Sequence, residues 1–109
     1  MHCRVLEAKL KPGRAAEAVA IIEQQSGTVR GISGFAFVQA MHSGDDFLVV
    51  SSWRTEKDVR AYADSELAQD LLKRLSGLFV AGPTIKTFSI DLAVESDEGF
   101  FALDEGGEG

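Results

Sequence analysis

The 109 residues predict an α+β domain with the element order β-α-β-β-α-β. Three observations carry that order. Apolar β-type runs occupy 2–10, 35–42, 47–53 and 84–92. Apolar residues recur at helical spacing in the stretches that follow the first and third of these runs. Gly-, Pro- and Asp-containing joints separate the pieces at the expected places.

Taken in order, His2–Leu10 reads as a first strand, closed by a Lys11-Pro12-Gly13 turn. From Arg14 to about Ser26, Ala15, Ala18, Val19 and Ile22 stripe one side of a helix, and Gly27 suits its C-cap. After Gly31 and Gly34 a strand runs from Phe35 to His42. Ser43-Gly44-Asp45-Asp46 turns it into the next strand, Phe47–Trp53. Thr55 then offers an oxygen to a helix start, with Glu56 and Asp58 in the first turn, where the dipole favours acids. Asp64-Ser65-Glu66 reads as a second start, so this helical stretch is predicted to be broken. Leu67, Leu71, Leu75 and Leu78 stripe its second piece, which Gly77 and Gly82-Pro83 end. Thr84–Leu92 is the last strand. The order is that of a ferredoxin-like fold with a four-stranded antiparallel sheet.

Residues 1–92 form the predicted domain and 93–109 an acidic, Gly-rich tail read as largely disordered. One apolar knot, Phe100-Phe101-Ala102-Leu103, is a candidate to dock on a groove. The tail holds six acids and no base, and these account for the net charge of −6. The body is therefore neutral, without the basic footprint that nucleic acid requires. The lone Cys3 and the lack of a leader or a long apolar run predict a cytoplasmic protein with no membrane span.

Alternation assigns Phe35, Phe37, Gln39 and Met41 to one face of the second strand, and Ala36, Val38 and Ala40 to the other. Phe47, Val49 and Trp53 oppose Leu48 and Val50 on the third. Both faces are apolar there, whereas two helices cover only one. The second face predicts a homodimer through packed sheet faces.

A Lys-Pro-Gly turn after strand one, Gly31-x-x-Gly34-Phe35 entering strand two, a Gly44-Asp45 hairpin and Ser52-Trp53 before Thr55-Glu56-Lys57-Asp58 resemble the antibiotic biosynthesis monooxygenase family. The resemblance covers about residues 3–92. It implies a dimeric α+β barrel. It also implies a site between the sheet and the helices of one subunit, with either cofactor-independent oxygenation of quinols and polycyclic phenols or haem degradation. Matched to the haem branch, its asparagine, tryptophan and histidine fall here on Leu6, Tyr62 and Leu72. Leucine can neither ligate iron nor move a proton, so haem is disfavoured and no cofactor is expected.

The expected slot holds a small aromatic or apolar ligand and is lined by Leu6, Phe37, Trp53 and Leu72. Tyr62 or His42 supplies its polar group. Trp53 can equally plug the strand-to-helix corner of the core, Tyr62 can be a half-buried helix tyrosine, and His42 a solvated turn histidine. His2 reads as frayed. Arg4 and Lys86 are candidate anion binders that serve as well as ordinary strand charges. Cys3 reads as a small core side chain, and Ser51 and Ser52 form no nucleophile constellation. No histidine lies in metal-ligand spacing with another donor, so no metal is expected. Two functions follow: a cofactor-independent monooxygenase of a planar phenol or quinol, or a non-catalytic dimeric ligand-binding or structural domain on the same fold.

Overall fold

A computed structural model describes residues 1–98. The chain runs β1 (His2–Lys9), α1 (Ala15–Val29), β2 (Phe35–Ser43), β3 (Asp46–Trp53), α2 (Glu56–Ala63), α3 (Glu66–Ser76) and β4 (Thr84–Ser89). The four strands form one antiparallel sheet in the order β2-β3-β1-β4. This is the ferredoxin-like α+β arrangement that the sequence predicts. The Phe100–Leu103 knot lies outside the described residues.

Local chemistry explains the element boundaries. Gly13 and Gly44 take positive φ, 77° and 60°, at the two turns that reverse the chain. Thr55 caps α2 by accepting from the Asp58 N–H at 3.1 Å, while its own hydroxyl donates to the Asp58 carboxylate at 2.8 Å. Ser65 caps α3, accepting from the Ala68 N–H at 3.2 Å and donating to the Tyr62 carbonyl at 2.6 Å. The predicted break therefore holds, with one cap for each piece.

Two expectations are corrected. Helix α1 does not stop at Gly27. It continues to Val29, which is buried against Trp53 and Val59, and that burial outweighs the one-residue propensity cost of the glycine. Strand β4 ends at Ser89, although the Ile90 N–H still donates to the Met1 carbonyl at 2.9 Å.

All three helices lie on one side of the sheet. The larger core cluster joins Leu6, Leu10, Phe47 and Val49 of the sheet side to Ala18 and Ile22 of α1 and to Leu71, Leu75, Leu78 and Phe79. A second cluster joins Trp53 to Val29, Val59, Tyr62 and Ala68. The strand registers align Leu6 with Val49 and Ile85, and Arg4 with Ser51 and Thr87, on this same face. Cys3, Val5, Gln39, Met41, Leu48, Val50 and Phe88 occupy the opposite face, where no helix among the described residues packs.

A bulge in β2 changes the predicted alternation. Phe35 pairs with Trp53 and Phe37 with Ser52, so Ala36 is an extra residue and the two phenylalanines face opposite ways. Phe35 packs edge-on against Trp53, with ring centroids 5.4 Å apart, and Phe37 joins the uncovered face.

Candidate active site

Between the sheet and α1 and α3 lies a small cavity of about 30 Å³. Strands β1 and β3 contribute Arg4, Leu6, Val49 and Ser51 to its wall, and β2 contributes Val38. The helices contribute Ile22, Gln25, Tyr62, Ala68, Leu71 and Leu72. The wall is mostly aliphatic, and its polar groups gather at one end. In its closed form the volume suits a water-sized molecule rather than a ring system.

Tyr62 is the centre of that polar end. Its hydroxyl donates to Gln25 Oε1 at 3.2 Å, and Gln25 Nε2 donates to the Leu67 carbonyl at 3.0 Å, tying α1, α2 and α3 together. The Tyr62 ring stacks on Trp53, with centroids 4.8 Å apart and planes 28° from parallel. Burial pushes the Tyr62 hydroxyl above its ordinary range, against smaller opposing effects from Gln25 and Arg4. It therefore stays protonated at neutral pH and serves as a hydrogen-bonding group, not as a base.

Trp53 is fully buried, and its Nε1–H donates to Ser51 Oγ at 3.1 Å. It stands behind Tyr62 and does not reach the cavity, which matches its reading as a corner plug. The Arg4 guanidinium carbon lies 5.7 Å from the centroid of the Tyr62 ring, within cation–π range. Burial lowers the pKa of Arg4 from its usual value, and the nearby Tyr62 opposes that shift.

The residues singled out in the sequence divide into two groups. Leu6, Tyr62 and Leu72 meet around the cavity, and Trp53 supports it from behind. Phe37 does not join them, because the β2 bulge turns it to the other face. His42 does not join them either. It is exposed at the hairpin end of β2, with Nδ1 3.3 Å from the Gly44 carbonyl oxygen. It pairs with Phe47, six residues along β3 from Trp53, or roughly 20 Å at the strand rise. Cys3 is half-buried on the uncovered face, and Lys86 is exposed there.

Sequence reasoning underrated two residues. Gln25 was placed on the helix but given no role, although its spacing from Ile22 and Ala18 signals the inward face. His2 is not frayed: it pairs with Trp53 and Ser89 inside β1, and its Nδ1 is buried without a hydrogen-bond partner.

The model of the antibiotic biosynthesis monooxygenase family matches residues 1–74. The chain belongs to the antibiotic biosynthesis monooxygenase family. Several solved structures share its fold. NE2512 from Nitrosomonas europaea, a protein of unknown function, is 19% identical with a TM-score of 0.73, over 87% of this chain and 93% of its own. A variant of SnoaB, a cofactor-independent oxygenase from Streptomyces nogalater, is 11% identical with a TM-score of 0.73, over 87% and 97%. A conserved protein from Methanosarcina mazei Go1 is 13% identical with a TM-score of 0.70, over 81% and 91%. At these identities the likeness speaks for the fold. A comparison with curated proteins found no match.

The cavity of this family member does not suit a haem. Its wall carries no histidine or thiol, and the phenol of Tyr62 is already engaged with Gln25. Among the described residues, no three His, Cys, Asp or Glu side chains cluster as metal ligands. No helix among them is long and apolar enough to cross a membrane.

Proposed function

We propose that this chain is a cofactor-independent monooxygenase that takes a planar phenol or quinol between its sheet and helices and works as a homodimer joined through the uncovered sheet faces. The observation that carries the reading is the pairing of a mostly aliphatic cavity with one buried phenol, Tyr62, held in place by Trp53 and Gln25. Family membership and the resemblance in fold to SnoaB support the same chemistry.

An electron-rich ring needs little from the protein. When an anthrone-type methylene becomes a carbonyl, the carbon loses four electrons and both hydrogens. Dioxygen accepts all four electrons; one of its atoms becomes the carbonyl oxygen and the other leaves as water. The substrate supplies every electron, so no separate reductant enters the balance. The protein contributes orientation, exclusion of water and hydrogen bonds to the reacting oxygen. Tyr62 supplies the last of these by turning its O–H from Gln25 Oε1 to the reacting oxygen when a ring enters. A ring system larger than the 30 Å³ void enters only if the wall opens, and Val38 and Leu72 are its half-buried aliphatic side chains.

The small closed volume favours a second reading, a non-catalytic domain that binds a small apolar ligand or only dimerises. Oxygen uptake separates the two. With a panel of hydroquinones and anthrones, the enzyme reading expects protein-dependent uptake that Tyr62→Phe reduces about tenfold or more. An uptake rate equal to the protein-free rate across the panel would reject turnover and leave the binding domain.

A further inference from the structure

Arg4 carries the one full charge on the cavity wall, and no Asp or Glu lines that wall. The ion pairs among the described residues are Lys9–Asp46, Arg14–Glu17 and Arg60–Glu56, all exposed, and none involves Arg4. Its guanidinium makes no hydrogen bond to any described residue. Its close polar environment is the π face of Tyr62 and the neighbouring Ser51 and Gln25 side chains. Among the described residues no carboxylate pairs with this half-buried guanidinium, so its desolvation is not offset there by a counter-charge. The planar fork of arginine matches a two-oxygen or ring-oxygen anion better than a point charge does.

We propose that the cavity binds its planar ligand as an anion, with an ionised ring oxygen (a phenolate or enolate) against Arg4, which makes Arg4 the residue that selects acidic phenols over neutral rings. This inference rests on the reading that the site takes a planar oxygenated ring. It adds the charge state of that ring and the residue that recognises it. It also gives the site a way to favour the electron-rich form: binding the anion next to a fixed cation lowers the pKa of the bound phenol, so deprotonation requires no strong base. That is consistent with Tyr62 remaining protonated and with His42 lying at the far end of the sheet.

The test uses two coloured or ultraviolet-absorbing probes of one shape. Dinitronaphthol is a planar phenol ionised at neutral pH, and dinitronaphthalene is the same ring system without the oxygen. Titrated into the full-length protein, dinitronaphthol is expected to bind at least about tenfold more tightly, with the visible band of its anion retained in the complex. Arg4→Met is expected to remove that preference, the two probes binding this variant with equal affinity, and a circular-dichroism spectrum like that of the natural chain reports that the variant is folded. Arg4→Lys is expected to keep part of it. The melting temperature of Arg4→Met is expected to match or exceed that of the natural chain, since a cation with no ion pair among the described residues leaves a half-buried position. Equal affinity for the two probes, or an undiminished preference in Arg4→Met, overturns the charge assignment but leaves the planar-ring site standing. If neither probe binds, the planar-ring reading and the assignment fall together. If anthrone-dependent oxygen uptake is absent but the preference holds, turnover alone is lost.

Discussion

Gly34 illustrates how a single residue couples the sheet to the capped helix. Its φ is +86°, and a Cβ built there would overlap the carboxylate of Asp58, the same group that accepts from the Thr55 hydroxyl in the α2 cap. Its carbonyl also accepts from the Arg54 N–H at 2.8 Å. Gly34→Ala is therefore expected to cost about 1–2 kcal/mol for the left-handed backbone. Displacing Asp58 from its bond to Thr55 adds about 1 kcal/mol. In an Asp58→Ala background only the backbone penalty should remain. Urea unfolding of the four proteins in the cycle checks this, and additivity of the two substitutions would refute the coupling. Tyr62 offers a second residue-scale test. Tyr62→Phe leaves Gln25 Oε1 without its donor in a buried place, at an expected cost of about 1–2 kcal/mol near neutral pH. Burial raises the hydroxyl pKa in the folded chain, so between the ordinary tyrosine value of about 10 and the raised native one the unfolded chain binds fewer protons. Stability then falls as pH rises through that window. The natural chain is expected to lose this part of its stability above about pH 10 while Tyr62→Phe does not, so the gap between their urea midpoints should narrow there. A gap that stays constant from neutral to alkaline pH would contradict a Tyr62 buried only in the folded state.

Among the elements, α1 carries the clearest conflict between local and tertiary preference. Gly27 stands two residues before the buried Val29, is exposed, and has open space where a Cβ would sit. Gly27→Ala is expected to stabilise the protein by about 0.5–1 kcal/mol, read as a rise in the denaturant midpoint at constant slope. Destabilisation would mean that α1 ends at Gly27 after all. This helix also shows what the sequence could and could not convey. Strands, turns and the Thr55 and Ser65 caps were legible because each rests on residues within four positions of one another. The end of α1 was not, because the decision is made by Val29 meeting Trp53 and Val59 from other parts of the chain. The site was legible in the same partial way. Leu6, Tyr62 and Leu72 converge as the resemblance implies, whereas Phe37 was misplaced by one inserted residue, Ala36, which no composition or spacing signals. Gln25 became visible as a site residue only once Tyr62 met it across 37 positions of chain, whereas Arg4, already a candidate anion binder, needed the register beside Ser51 to place it on the cavity wall.

At the scale of the molecule the decisive asymmetry is that, among the described residues, three helices cover one face of the sheet and none covers the other. On the uncovered side Val5, Gln39, Leu48 and Val50 are half-buried by their neighbours in the sheet, and Met41 and Phe88 remain 39% and 48% exposed. Glu7, Lys9, Asp46 and Lys86 lie towards the edges of this face, so its centre is apolar and its rim charged. That is the distribution of a specific protein interface. Four strands about 4.8 Å apart and six to nine residues long present a face of roughly 20 by 25 Å, about 500 Å² in flat projection, to which side-chain relief adds toward the ~800 Å² per partner of a standard interface. The proposed dimer sets this face against its own copy about a two-fold axis, so one apolar patch covers the other. Light scattering at micromolar concentration is expected to give twice the chain mass. Val50, central in β3 between Val5 and Gln39, is the position where a charge should do most harm. Val50→Lys is expected to give a folded monomer, since each copy keeps its helix-side core but would face its partner with like charges desolvated across the axis. A monomeric natural chain would remove the dimer from the proposal, and a Val50→Lys protein that stays dimeric would place the interface on another surface.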